Sequence, residues 1–145
     1  MLYIVFRYLH FFAIIGLTGA LIIENLAIKP SISGEDARNL AKVDRVFGLC
    51  TLFVAIFGLV LWFLIGKPSD FYSNNLIFQI KIVLFIMIVL FSIYPTVFFI
   101  KNRKSESANL SVPKIILVLV KIELLLLLVI PSLAYLIARG IGSLT

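Results

Sequence analysis

Residues 115–138 read IILVLVKIELLLLLVIPSLAYLIA, an apolar run that contains only two charged side chains, Lys121 and Glu123. A helix needs roughly 20 mostly apolar residues to cross a hydrocarbon core about 30 Å thick, and this run is long enough. The strands of a membrane β-barrel would alternate apolar and polar residues, which this run does not do. The stretch therefore predicts a transmembrane α-helix.

Three further stretches have the same length and character. The four candidate spans cover residues 2–27, 46–65, 76–100 and 115–138. The first is too long for the apolar part of a signal peptide and follows no basic cluster, so we expect it to be retained. Short connections favour an up-down-up-down bundle. We predict an all-α integral membrane protein, a single membrane domain over 1–145 with helices at about 2–27, 33–65, 76–100 and 114–138.

The second helix is expected to begin before its membrane span. Ser33 followed three residues later by Asp36 is typical of a helix N-terminus, where the two side chains cap the first turn. Leu40, Val43 and Phe47 then recur at helical spacing. We therefore expect the helix to start near Ser33 and to project two or three turns out of the membrane.

The composition agrees with a membrane protein and excludes most other classes. The chain has 145 residues, of which 62% are hydrophobic and 14% charged, whereas soluble domains are nearer half apolar and a quarter charged. The net charge of +6 is spread over short connections and forms no basic patch or helix. We therefore expect a lipid bilayer as partner and no nucleic acid.

The basic residues divide unequally between the two sides of the predicted bundle. The side with the first and third connections carries Lys29, Arg38, Lys42, Arg45, Lys101, Arg103, Lys104 and Lys114. The opposite side carries Arg7, Lys67 and Arg139. Because cytoplasmic connections hold the excess of lysine and arginine, we predict a multi-pass protein of the bacterial inner membrane with both termini in the periplasm.

Polar side chains within the spans indicate where function lies, because a charge inside the bilayer is costly. These residues are Arg7, His10, Glu24, Lys81, Lys121 and Glu123. The position of each in its span places Arg7, His10 and Lys81 in the outer half of the bilayer. Glu24, Lys121 and Glu123 fall in the inner half.

Helical spacing refines these positions. His10 and Glu24 are fourteen residues apart, so they differ by only about 40° around the first helix and share one face. Lys121 and Glu123 differ by about 200°, so only one of them can face the bundle. We expect Glu123 to face inward and Lys121 to extend towards the headgroups.

The single histidine has several candidate roles. A neutral imidazole can ligate a metal or a haem iron or relay protons, and it can also simply bond to a neighbouring helix. With one His, one Cys and two Met in the chain, we expect no copper or zinc site. A haem needs only one strong axial ligand from the protein, so His10 remains a candidate ligand of haem iron.

Several short motifs resemble a family of small bacterial membrane proteins. They are RYLHF at 7–11, GALIIE at 19–24, DR at 44–45, SIYPTV at 92–97 and ARGIG at 138–142. The family is that of domain of unknown function 2214, and the resemblance covers nearly the whole chain. It implies no particular activity.

A wider resemblance concerns the order of three features. A Leu-His pair ending at His10, a basic run at the start of the second helix and an Ile-Lys-Ile around Lys81 are similar to HemJ-type protoporphyrinogen oxidases and to CopD-type proteins. The HemJ-type resemblance implies that His10 binds haem b, with Lys81 in the same site and Arg7 as a further partner of carboxylate groups. HemJ-type chains carry a second histidine along the third helix, whereas this sequence has SIYP at 92–95. CopD-type copper ligands are missing.

Two functional hypotheses follow. In the first, His10, Lys81 and Arg7 bind haem b or another tetrapyrrole, and the resemblance implies the six-electron oxidation of a porphyrinogen. In the second, the protein is a non-enzymatic transporter, ion pathway or accessory subunit, in which the inner-half side chains form a relay or an interhelical pair. Four helices are few for a transporter, so a homodimer suits either hypothesis.

Overall fold

The computed structural model describes residues 1–144, and four long helices make up most of them. The elements are α1 (Leu2–Ala27), β1 (Ser31–Ile32), α2 (Gly34–Val60), α3 (Ser69–Ser73), α4 (Leu76–Asn102), β2 (Leu110–Ser111) and α5 (Lys114–Ala138). A single π-helical turn, Leu61–Ile65, continues α2. The four long helices are apolar enough and long enough to cross a membrane. The prediction of an all-α membrane protein with four spanning helices is confirmed.

Helix α2 begins at a reciprocal cap. The hydroxyl of Ser33 accepts a hydrogen bond from the Asp36 amide at 3.0 Å, and the Asp36 carboxylate accepts one from the Ser33 amide at 3.2 Å. Two backbone donors of the first turn are thereby satisfied. Ser33 is thus the N-cap, and the helix runs from Gly34.

The long helices pack in the cyclic order α1, α2, α4, α5 and back to α1, which fits the up-down arrangement. Helices α1 and α2 approach closely at one glycine. A Cβ atom added to Gly16 would lie 2.6 Å from the sulfur of Cys50. Small residues at such crossings allow helix backbones to come close in a membrane.

A two-stranded antiparallel ribbon joins the first and third connections. Strand β1 pairs with β2 in a register that sets Ile32 opposite Leu110. Ile32, Val112 and Ile116 are buried there in the same apolar core. We call this end of the bundle the strand end, and the end that holds the N-terminus of α1 the terminal end.

At the terminal end, the segment after α5 is fastened to the start of α4. The side chain of Asn75 is fully buried. Its amide donates a hydrogen bond to the Ile141 carbonyl at 3.0 Å, and its oxygen accepts one from the Phe78 amide at 3.1 Å. Gly142 follows with a φ of 90°, a conformation that favours glycine.

Candidate functional site

Three buried carboxyl groups lie in the half of the bundle nearer the strand end, each on a different helix. Glu24 is on α1, Asp44 on α2 and Glu123 on α5, and their exposed fractions are 2%, 6% and 1%. We call these three residues the carboxyl cluster. Ionisable residues inside membrane helices are rare and usually functional, so this cluster is the first candidate site.

The carboxyl cluster is held together by direct interactions. The carboxyls of Glu24 and Asp44 are close enough to hydrogen-bond when one of them is protonated, and Glu123 acts electrostatically on Glu24. On α4, the hydroxyl of Thr96 donates a hydrogen bond to Oδ1 of Asp44 at 3.0 Å. Each of the four spanning helices therefore contributes one side chain to the site.

Asn25 fixes α1 against α5 beside the cluster. Its side-chain amide donates hydrogen bonds to the Leu21 carbonyl at 2.9 Å and to the Val120 carbonyl at 3.1 Å. The second bond crosses between the two helices one residue from Glu24 and three from Glu123. Asn25 is therefore a positioning residue for the two glutamates.

Two oxygen atoms of the cluster have no hydrogen-bond partner. These are Oε1 of Glu24 and Oε1 of Glu123, both of them buried. A buried acceptor without a partner costs free energy, so these atoms are available to a ligand. The interactions of the three carboxyls are with one another and with Thr96, and none is with a basic side chain within residues 1–144.

The spacing of the acidic groups decides between a proton and a metal ion as the ligand. Across residues 1–144, no three His, Cys, Asp or Glu side chains stand close enough together to hold a metal ion. A proton needs only one or two oxygen atoms. The cluster therefore suits protons better than a coordinated metal.

Lys121 lies outside the cluster. Its side chain is exposed, whereas that of Glu123 is buried. This is the arrangement that the 200° separation predicts. The structure therefore brings Glu24 and Glu123 together and leaves Lys121 on the surface of the bundle.

His10 lies against α2 in the half of the bundle nearer the terminal end. Its ring interacts with the backbone of Val54, and its buried Nδ1 atom has no hydrogen-bond partner. A Cβ atom on Gly58 would lie 3.2 Å from Cε1 and 3.7 Å from Nδ1 of His10, so a glycine leaves the ring its space. The backbone of α2 therefore covers the Nδ1 side of the imidazole.

The two basic residues predicted for this site differ in burial. Lys81 is partly buried, and its charge acts on His10. Arg7 is exposed, its guanidinium lies 6.0 Å from the centre of the Tyr3 ring, and its charge acts on Tyr72. Of the three residues predicted for a haem site, His10 and Lys81 thus interact electrostatically.

The surroundings of His10 leave only one of its two ring nitrogens open to a haem iron. Because α2 covers Nδ1, an iron ligated by His10 would have to be bound through Nε2. The sequence contains no second histidine, so one chain supplies a single imidazole ligand.

Asp44 and Thr96 were not predicted as site residues. The spacing of Asp44 from two apolar residues indicates that it faces inward. It lies four residues after Leu40 and three before Phe47, and both of these side chains are 2% exposed. The predicted apolar stripe contained Val43, which is only partly buried. Asp44 stands next to Arg45 in a charged stretch, and this neighbourhood concealed its inward position.

The fold and the cluster together define a four-helix membrane protein with a buried acidic site. A family of predicted membrane proteins, DUF2214, matches residues 3–142. The chain belongs to this family, and the predicted membership is confirmed. No curated protein and no solved structure matches the chain.

Proposed function

We propose that the protein is a small ion pathway or transporter of the bacterial inner membrane, in which the carboxyl cluster binds and releases protons. The observation that carries this proposal is the burial of three carboxyls on three helices without a basic partner among the described residues. The proposed function is non-enzymatic. It requires no group other than those that the chain supplies.

The chemistry follows from the repulsion between like charges. Two unit charges about 4 Å apart repel by about 4 kcal/mol at the effective dielectric constant typical of protein sites, so ionising neighbouring carboxylates together is costly. Without a metal ion, the cluster lowers its charge by holding protons. A proton on either carboxyl would allow a hydrogen bond between Glu24 and Asp44, which lie within reach of each other.

The two unpartnered oxygens are the sites for further protons. The Thr96 hydroxyl donates to Asp44 and therefore stabilises negative charge on that carboxylate. Oε1 of Glu24 and Oε1 of Glu123 receive no such bond. Asp44 is therefore the member that holds charge, and the two glutamates are the members that take up and release protons.

The test is proton flux into liposomes that contain the purified full-length protein and an internal pH dye. Glu24→Gln and Glu123→Gln keep the shape of the side chain and remove the titrating group, and each should lower the flux about tenfold or more. Glu106→Gln changes an exposed carboxyl and should leave the flux unchanged. Equal flux in all four proteins would exclude the proposal.

A second candidate function rests on His10 and Lys81. We propose that these residues hold haem b or another tetrapyrrole, with His10 as axial ligand and Lys81 paired with a carboxylate of the ligand. The partly buried positions of the two side chains within the membrane-spanning helices support this candidate. The haem would supply the redox chemistry, and a homodimer would offer a second imidazole.

This candidate is tested by the absorption spectrum of the protein purified from haem-replete cells. A Soret band that shifts on reduction should disappear in His10→Ala and persist in Glu24→Gln. The second variant is the matched control because it alters only the carboxyl cluster. A protein that stays colourless after titration with haem would exclude a haem site.

A further inference from the structure

We infer that, in the conformation that the structure describes, the carboxyl cluster exchanges protons with the strand end of the bundle, through a groove that Leu40 closes. This inference rests on the proposed function and adds the route by which protons arrive. It is carried by the position of the groove, by the burial of Leu40 and by the apolar side chains that block the other approaches.

The groove lies between α1 and α2 beside the cluster, and its volume is about 160 Å³. It is lined by Ile23, Ala27, Asp36, Asn39, Leu40 and Val43. Ile23 and Val43 are the chain neighbours of Glu24 and Asp44. Since a water molecule occupies about 30 Å³ in the liquid, the groove has room for a few. Asp36 and Asn39 provide the polar groups that such water needs.

Leu40 lines the groove and lies one helical turn before Asp44 of the cluster. Asp36, Leu40 and Asp44 are spaced four residues apart on α2, so they lie in line along one face of the helix. The line consists of an exposed carboxyl, an apolar side chain that is 2% exposed and a buried carboxyl. Displacement of the single Leu40 side chain would connect the water of the groove with the cluster.

The other approaches to the cluster are closed by apolar side chains. Along the bundle axis at the strand end, Ile32, Val112 and Ile116 are at most 4% exposed. Towards the terminal end, the cluster is followed by an apolar layer whose side chains are each at most 4% exposed. These side chains are Leu17, Leu21, Ile88 and Leu127.

The polar groups that face the cluster come from the helices themselves. They are Glu24, Asp44, Thr96 and Glu123 together with the amide of Asn25. None of these polar groups lies within the apolar layer. Protons therefore reach the cluster from the strand end.

The experiment follows the exchange of carboxylic protons for deuterium by infrared spectroscopy of the full-length protein in liposomes. Leu40→Ala should speed the exchange about tenfold, because one local opening then suffices. Leu127→Ala is the matched control. Leu127 is a buried leucine four residues beyond Glu123, as Leu40 is four before Asp44, and its removal should leave the rate unchanged.

A second variant keeps the test decisive if Leu40→Ala does not fold. Ala27→Phe adds a side chain at an exposed position of the groove wall and should slow the exchange several-fold. Equal acceleration by Leu40→Ala and Leu127→Ala, or an unchanged rate in Ala27→Phe, would overturn the strand-end route. A wild-type protein without any protonated carboxyl at neutral pH would instead overturn the proposed function.

Discussion

The hydroxyl of Thr96 on α4 donates a hydrogen bond to Oδ1 of Asp44 on α2, across 3.0 Å and 52 positions of sequence. This bond fixes the carboxyl cluster to α4, the third of the four spanning helices. It also makes Asp44 differ from the two glutamates, because each of them has an oxygen without a partner. The asymmetry within the cluster is therefore built by helix packing.

Replacing Thr96 by valine should destabilise the protein, because the buried Asp44 oxygen would lose its donor. The expected loss is about 1–3 kcal/mol, measured by thermal unfolding in detergent. Thr51→Val is the control, since the Thr51 hydroxyl bonds to the Phe47 carbonyl within its own helix at 2.8 Å. An equal loss in both variants would show that the bond between helices has no special role.

The close approach of α1 and α2 predicts a sharp difference between two glycines. Gly16→Ala should lower the melting temperature, because the added Cβ would meet the Cys50 sulfur at 2.6 Å, whereas nothing lies within 4 Å of a Cβ on Gly19. Gly19→Ala should leave stability unchanged or raise it slightly. Cys50→Ala should restore much of the loss in Gly16→Ala, and failure of this rescue would contradict the crossing geometry.

The pH dependence of stability at the terminal end should reflect Tyr72, which lies between the second and third spans. Burial raises the pKa of Tyr72 above its ordinary value of 10.0. A raised pKa means that the folded state binds the phenolic proton more tightly, so this contribution is complete below pH 10 and is lost as the pH rises through the folded pKa. Tyr72→Phe should therefore unfold less readily in alkali than the wild type.

The matched control for this prediction is Tyr8→Phe, because Tyr8 is 62% exposed. Its removal should leave the alkaline unfolding profile unchanged. Unfolding of both variants would be followed by circular dichroism between neutral pH and pH about 12, a range that spans the titration of tyrosine. Identical profiles for Tyr72→Phe and the wild type would contradict the buried position of Tyr72.

The predicted orientation can be tested at the two ends of the bundle. Cysteines placed at Ser107 in the third connection and at Ser69 in the second, both in a Cys50→Ser background, mark opposite sides. In intact cells whose outer membrane is permeabilised, a membrane-impermeant thiol reagent should label the cysteine at Ser69 and not the one at Ser107. The opposite pattern would place the eight basic residues in the periplasm and contradict the proposed orientation.

The sequence predicted the four spans because length and hydrophobicity alone decide them. It also predicted the cap at Ser33 and the inward position of Glu123, since both follow from the geometry of a single helix. The ribbon between β1 and β2 could not be predicted, because each strand has two residues and the pairing joins segments about 80 positions apart. Such short strands leave no alternation to detect.

The position of Asp44 beside Glu24 could not be predicted from the sequence of α2 alone. Helix α2 begins about ten residues before its apolar run, and nothing in the sequence states how far α1 and α5 extend beside that segment. Packing places Asp44 level with Glu24. The same limit applies to Arg7, whose side chain lies at the surface near Tyr3 although it is one turn from His10.

The central claim is that the carboxyl cluster holds protons at neutral pH, and infrared spectroscopy of the protein in lipid measures this most directly. Protonated carboxyls absorb apart from the amide bands and shift in deuterated buffer. The account predicts such a band in the wild type and its reduction in Glu123→Gln and in Glu24→Gln, with no change in Glu106→Gln. A wild-type spectrum without this band at pH about 7, where exposed carboxyls are ionised, would contradict the account.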